Sequence, residues 1–313
     1  MGYVYALLAS LLFGLNGTVT KVIVDAGITP TQLTLFRVLG TAVVAGITLA
    51  VSNRRGFRVT RRQFGTLAFL GVVGVALLQA TYAGALQLLP VGITLLIEYT
   101  AVLLVALIAF FFLGEKVRAR LWAAIGCVLI GLAIVAQIWS GTLNVVGVLL
   151  AVGAAVTLTV YFVVGERQTA STPPLVVSFW TMAIAAAFWA LFSGWWTIHP
   201  AVLTAPVPLG GNLAGVVVPL WVPIAWNVVL GTFAPFLLSF RALSRLSATA
   251  AGVIATAEVI FAFVFAWLWL GEGLDPVQIG GAAIVLIGIV LAQTARAGGV
   301  VDADLAIRPS LVP

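Results

Sequence analysis

The chain has 313 residues, 63% apolar and only 8% charged, with a formal net charge of +6. Soluble domains average roughly 45–50% apolar and about 25% charged residues, so only a hydrocarbon solvent tolerates this composition. The positive balance reads as charge asymmetry across a bilayer rather than a nucleic-acid surface. A single cysteine (Cys127) and a single histidine (His199) exclude an internal disulfide framework and a Cys- or His-rich metal centre.

A bilayer-spanning helix needs about 20 predominantly apolar residues. Ten runs meet that need: 3–24, 33–51, 64–87, 91–113, 119–139, 144–164, 174–197, 219–240, 247–270 and 277–295. The first is too long for a cleaved signal peptide and lacks its flanks, so it reads as a true span. Connections are short: Leu89-Pro90 joins the third span to the fourth, and Leu113 to Ala119 joins the fourth to the fifth. The longest, His199 to Val218, holds Pro200, Pro206, Pro208 and Gly210-Gly211 and reads as a loop with no separate domain. The polar, Gly-containing tail at 298–313 is expected to be disordered and cytoplasmic. Its last residues, Leu311-Val312-Pro313, match the start of a protease-cleavable expression tag and are given no function.

Lysines and arginines set the orientation. Arg54, Arg55, Arg58, Arg61 and Arg62 lie between the second and third spans, and Lys116, Arg118 and Arg120 between the fourth and fifth. Arg167 follows the sixth, and Arg241 and Arg245 follow the eighth. All fall on one side if both termini are cytoplasmic. Lys21, at the external end of the first span, is then expected to snorkel to the headgroups.

The chain also repeats itself. Leu113-Gly114-Glu115 is followed thirteen residues after the Glu by Val128-Leu129-Ile130-Gly131. Leu270-Gly271-Glu272 is followed at the same distance by Val285-Leu286-Ile287-Gly288, a shift of 272 − 115 = 157 residues. Ala85-Leu86 meets Ala242-Leu243 under the same shift. A period of half the chain means one duplicated unit rather than a solenoid. The expected halves are 1–140 and 141–297. Five spans per half is an odd number, so the second copy is inverted. Many secondary carriers share this plan, with the substrate site near the midplane where the repeats meet.

These features resemble the drug/metabolite transporter superfamily, EamA type. The residues that carry the resemblance are the two Leu-Gly-Glu triplets, Phe13-Gly14-Leu15-Asn16, and the glycines in the helix after each Gly-Glu pair. The resemblance covers roughly residues 3–295. It implies an all-α membrane protein of ten transmembrane helices, two inverted five-helix repeats around a central cavity lined by spans three, four, eight and nine. It also implies a carrier in a bacterial-type cytoplasmic (inner) membrane, most similar to exporters of amino acids, including aromatic ones. Glu115 and Glu272 match the motif; at helix ends beside loops, they read as termination and topology markers.

Ionisable side chains at membrane depth are costly unless paired or facing water, so each is a functional candidate. Glu98 lies in the fourth span and Glu258 in the ninth. Under the shift, Glu258 corresponds to position 101, three residues from Glu98 and one turn along the same face. Packing-only hydrogen bonds are the alternative for both. Arg37 and Glu98 both lie roughly 10 Å below the external face at about 1.5 Å per residue, which allows an ion pair. The alternative for Arg37 is snorkelling. Gln79 and Tyr82 share a face of the third span, and Tyr99 adjoins Glu98. Trp226 and Asn227 lie in the eighth span. A few fixed polar groups among aromatic walls are what a small-molecule site needs. Gly74, Gly231 and Pro235 are hinge candidates: Pro235 offers no N–H to the carbonyl of Gly231, and the glycines equally serve close helix approach.

No nucleophile–base pair and no phosphate-cradling Gly-Lys-Ser/Thr loop is present, so neither an enzyme nor a direct ATP-driven pump is expected. The expectation is a secondary transporter that exports amino acids and related metabolites by alternating access. It needs no cofactor or metal, and its partners are the lipid bilayer and the small-molecule substrate. No obligatory protein partner is evident. The competing reading is an exporter of cationic drugs or nucleobase-type metabolites, with Glu98 or Glu258 as counter-charge and proton coupling through one of them.

Overall fold

The computed structural model describes residues 2–101, 103–104, 119–135, 143–169, 171–243 and 254–295. The first Leu-Gly-Glu triplet (113–115) and the tail lie outside the described residues. The main helices are α1 (Gly2–Asp25), α2 (Pro30–Ser52), α3 (Arg61–Leu86), α4 (Val91–Glu98) and α5 (Ala119–Val135). They continue with α6 (Val145–Thr169), α7 (Pro174–Phe192), α8 (221–243), α9 (Ala257–Leu270) and α10 (Pro276–Ala295). Each falls within or across one of the apolar runs. Among the described residues six helices are long and apolar enough to cross a membrane: α1, α2, α3, α6, α7 and most of α8. Trp122–Val135, Ala257–Leu270 and Pro276–Leu291 are shorter apolar helices.

Local sequence accounts for the helix starts. Thr29 caps α2 by accepting from the Gln32 amide, while the Gln32 side chain accepts from the Thr29 amide, with Pro30 at the first helical position. Thr60 and Gln63 repeat this box at α3, and Pro174 opens α7. Helix α9 ends in π-type hydrogen bonding at Ala266–Leu270, and two others widen in this way partway, α3 at Leu70–Leu77 and α8 at Val229–Phe233. The latter two segments contain Gly74 and Gly231, which the 157-residue shift superimposes. In α8 the wide turn ends two residues before Pro235, whose missing N–H leaves the Gly231 carbonyl without its regular partner.

The packing is symmetric under exchange of each helix for the one five later. Helix α1 packs on α8 and α9, and α6 packs on α3 and α4; α2 packs on α7, and α5 on α10. The α5–α10 contact explains the repeated Val-Leu-Ile-Gly motif. A methyl group at Gly131 would lie 2.7 Å from Val285 Cγ2, and one at Gly288 would lie 2.7 Å from Val128 Cγ2. Each glycine receives the valine of the other copy, a reciprocal contact of the kind a two-fold axis generates. Without a hydrophobic drive between helices in lipid, such close approach supplies the attraction. Outward faces carry exposed residues such as Val43, Ile47, Leu149 and Leu191, as lipid contact requires.

Helix ends meet in a consistent pattern. Lys21 near the end of α1 reaches Glu272 after α9, and Glu272 accepts from the Val91 amide at the start of α4. Gln32 at the start of α2 donates to Thr197 beyond α7, and Gln278 at the start of α10 donates to the Val135 carbonyl ending α5.

The 199–218 connection differs from the expected plain loop. It holds a helical turn, Pro200–Thr204, and a two-stranded antiparallel hairpin, β1 (Pro206–Pro208) with β2 (Val217–Pro219). Short edge strands tolerate proline because no further ladder is needed there. Gly210 and Gly211, at φ 76° and 50°, provide the left-handed backbone that reverses the chain. Trp269 Nε1 donates to Leu209 O at 2.8 Å and Asn212 Nδ2 to Leu268 O at 3.0 Å, laying the hairpin over the end of α9.

Candidate functional site

Helix α4 turns irregular across Tyr99–Thr100, after the Tyr99 amide makes its last α-type bond to Leu95 O at 2.9 Å. The Thr100 amide instead bonds Ile97 O at 3.1 Å, and Thr100 Oγ1 donates to the same carbonyl at 2.7 Å. The chain leading into α9 lapses at Thr256, between the helical residues 254–255 and Ala257. The interval is 256 − 99 = 157, so the interruption falls at the same place in both halves. The two interruptions meet: Tyr99 Oη donates to Glu258 Oε2 at 2.6 Å, with Ala255 O 3.4 Å away. Ser10 of α1 donates to Ile254 O at 3.2 Å alongside. Glu98 is the last residue of α4 before its interruption, and Glu258 lies in the first turn of α9 after its own.

Arg37 of α2 is 5% exposed, which overturns the snorkelling alternative. It does not form an ion pair with Glu98 either; the ion pair seen among the described residues joins Lys21 to Glu272. Equal depth along two helices does not make their faces meet, and Arg37 turns toward α8. Its Nε donates to Thr232 Oγ1 at 3.1 Å, and Thr232 donates onward to Asn227 O at 2.9 Å. Asn227 Nδ2 in turn donates to Asn16 Oδ1 at 2.8 Å and Thr20 Oγ1 at 3.0 Å. All five side chains are buried.

Several buried polar atoms near these charges have no hydrogen-bond partner: Arg37 Nη1, Thr41 Oγ1, Gln79 Oε1, Glu98 Oε2 and Asn227 Oδ1. Leaving such groups unpaired costs on the order of 1–3 kcal/mol each, more when charged. Gln79 and Tyr82 are both buried on α3. Tyr82 Oη packs against α1, where a methyl group at Gly17 would lie 2.7 Å from it. Trp226 packs beside the apolar cluster of Val19, Ile23, Leu33, Leu220 and Ile224, and its ring also approaches Gly231, where a methyl group would lie 3.2 Å from Cζ3.

The glycine hinge candidates occupy close helix contacts. A methyl at Gly74 would lie 3.1 Å from Tyr161 Cα, and one at Gly231 would lie 2.1 Å from Asn16 Oδ1. Close helix approach favours glycine at both positions, whatever else they do.

Sequence reasoning missed two groups. Asn16, Thr20 and Thr232 were given no role, although Asn16 and Thr20 are four apart on an otherwise apolar helix and so share a face. Lys21 does not snorkel: it pairs with Glu272, whose other oxygen accepts from Val91 N at 2.9 Å. Glu272 is thus more than a helix terminator, since it ties α1, α4 and the end of α9 together.

Comparison with known proteins accords with this architecture. The model of the EamA-like transporter family matches residues 1–137 and 145–294. The Threonine/homoserine exporter RhtA of Escherichia coli (strain K12) is 27% identical over 67% of this chain and 63% of its own length, so the chain matches under two thirds of that exporter. The Uncharacterized transporter YwfM of Bacillus subtilis (strain 168) is 24% identical over 93% of each chain. A crystal structure superposes with a TM-score of 0.64 over 95% of this chain and 98% of its own, at 19% identity, a likeness of fold.

Proposed function

The chain belongs to the EamA-like transporter family, and we propose that it is a secondary carrier exporting amino acids and related small metabolites by alternating access. It is a carrier rather than an enzyme. The observation that carries the reading is the set of buried, unpartnered polar atoms on Arg37, Gln79 and Glu98 beside two matched helix interruptions. A polar solute passing through accounts for groups that packing alone would leave costly, and interrupted helices near the midplane are where carriers build such sites. The similarity to RhtA, a threonine/homoserine exporter, supports amino acids as the class. Gln79, Tyr82, Tyr99, Asn227 and Glu258 complete the surroundings, and Trp226 supports them from the adjoining apolar cluster.

In this reading ten spans form two inverted repeats, 1–140 and 141–297, in a bacterial inner membrane with both termini cytoplasmic. The wide turns at Gly74 and at Gly231–Pro235 give α3 and α8 the places to bend as access alternates. Export of cationic drugs fits less well, because the Arg37 guanidinium with its unpartnered Nη1 repels a second cation nearby. The test is amino-acid release from cells making the full chain. Extracellular threonine, leucine or phenylalanine should rise faster than in cells making an inactive variant; unchanged release of all three would sink the reading.

A further inference from the structure

Building on the amino-acid reading, we infer that the site recognises its substrate as a zwitterion, with Arg37 taking the α-carboxylate and Glu98, not Glu258, taking the α-ammonium. The two residues, a base and an acid, are 5% and 8% exposed and are not paired with each other; the chain Arg37–Thr232–Asn227 reaches Asn16 on α1, where neighbouring Gly17 abuts Tyr82 Oη and Gly14 abuts the Glu258 carbonyl. Each also keeps a buried atom of the right kind without a partner: a donor on Arg37 (Nη1) and an acceptor on Glu98 (Oε2). A buried pair of opposite charges held apart, each with spare hydrogen-bonding capacity, is complementary to a small solute that carries both charges.

The surroundings assign the roles. Thr232 and the Asn227–Asn16–Thr20 chain fix Nε of Arg37, which holds one edge of the guanidinium against α8 and leaves Nη1 over. Thr232 is therefore a positioning residue for the carboxylate end. Glu258 already accepts from Tyr99 at 2.6 Å and is only partly buried, whereas Glu98 accepts from nothing at Oε2. Both carboxylates keep accepting capacity, but Glu98 is the one with a buried oxygen that has no partner, whereas Glu258 is already held by Tyr99. The consequence is a requirement for both α-groups: an amine without a carboxylate, or an acid without an amine, leaves one buried charge unanswered.

The experiment is competition against exchange of labelled L-threonine, and separately of L-leucine, in proteoliposomes holding the full chain. Competitors are the parent amino acids, their amides (L-threoninamide and L-leucinamide), and their deamino analogues (3-hydroxybutanoate and 4-methylpentanoate). Both modifications should weaken competition roughly tenfold to a hundredfold, the worth of one hydrogen bond to a charged group. In Glu98→Gln the amino acid should lose its advantage over the deamino analogue yet keep it over the amide. Glu258→Gln should keep both preferences. Thr232→Val should narrow the preference over the amide alone, a split that a merely structural role does not produce. Amides or deamino analogues competing as well as the amino acids would overturn the inference while leaving amino-acid transport standing. So would undiminished discrimination against the deamino analogue in Glu98→Gln. Exchange of neither amino acid would remove the underlying reading and the inference with it. Should Glu98→Gln fail to reach the membrane, Glu98→Asp and the analogue series on the parent decide.

Discussion

Adding one methyl group to Gly131 or Gly288 tests the two-fold contact between α5 and α10. At Gly131 the methyl would lie 2.7 Å from Val285 Cγ2 and 2.8 Å from both Gly281 O and Val285 N. At Gly288 it would meet Val128 Cγ2 at 2.7 Å and Ala124 O at 2.9 Å. Carbon atoms rest at roughly 3.5–4.0 Å, so each methyl is about 1 Å too close, and backbone atoms among the neighbours cannot turn aside. The helices must separate, at a cost of about 1–3 kcal/mol for each substitution. Because the contact is reciprocal, G131A and G288A should cost similar amounts. The double variant should cost less than their sum, since one separation relieves both collisions. G126A, on the same helix with nothing within 4 Å of its methyl position, should be neutral. Unfolding of purified protein in detergent, followed by heat and by denaturing-surfactant titration, reads all four variants. Additive losses in the double variant, or a G126A loss as large as that of G131A, would refute the symmetric packing argument.

Three further outcomes follow from single contacts. K21M and E272Q should each lower detergent stability by about 1 kcal/mol, and the double variant should be little worse than either, because both remove one largely buried ion pair; additive effects would mean that the pair contributes nothing. Y99F removes the 2.6 Å bond to Glu258 and should reduce transport roughly tenfold at unchanged membrane abundance, as loss of a bond to a charged group implies; parental transport would show that the contact between the two interruptions is dispensable. Cysteines placed at Arg58 and at Leu209 in a Cys127→Ser background should react with an impermeant reagent from opposite sides of intact cells, and labelling of both from outside would overturn the orientation.

Much of this fold was legible in the sequence because hydrocarbon permits few solutions: a run of about 20 apolar residues has to become a helix. The repeated Val-Leu-Ile-Gly was legible as duplication, though not as a contact between its own two copies. Arg37 shows the limit. Counting residues along a helix gives depth, but the face a side chain presents depends on how neighbouring helices are rotated, and Arg37 meets Thr232 rather than Glu98. Lys21 repeats the lesson, since its partner Glu272 lies 251 residues away. The interruptions at Tyr99–Thr100 and Thr256 have no glycine or proline at the lapse itself, so nothing local announces them. They emerge only when α4 and α9 are brought together. Glu98, Tyr99 and Glu258 could still be singled out beforehand, because a carboxylate within an apolar run is expensive enough to need a reason.

We propose that this chain carries amino acids across the bilayer by alternating access. Counterflow in proteoliposomes tests it most directly: vesicles loaded with unlabelled L-threonine, L-leucine or L-phenylalanine are diluted into a trace of the same labelled compound. A carrier that exchanges one solute per cycle should accumulate label transiently above the equilibrium level, only in vesicles that contain the protein and only when the lumen is preloaded. Label that never exceeds equilibrium for any of the three, or that accumulates equally in protein-free vesicles, would contradict the account.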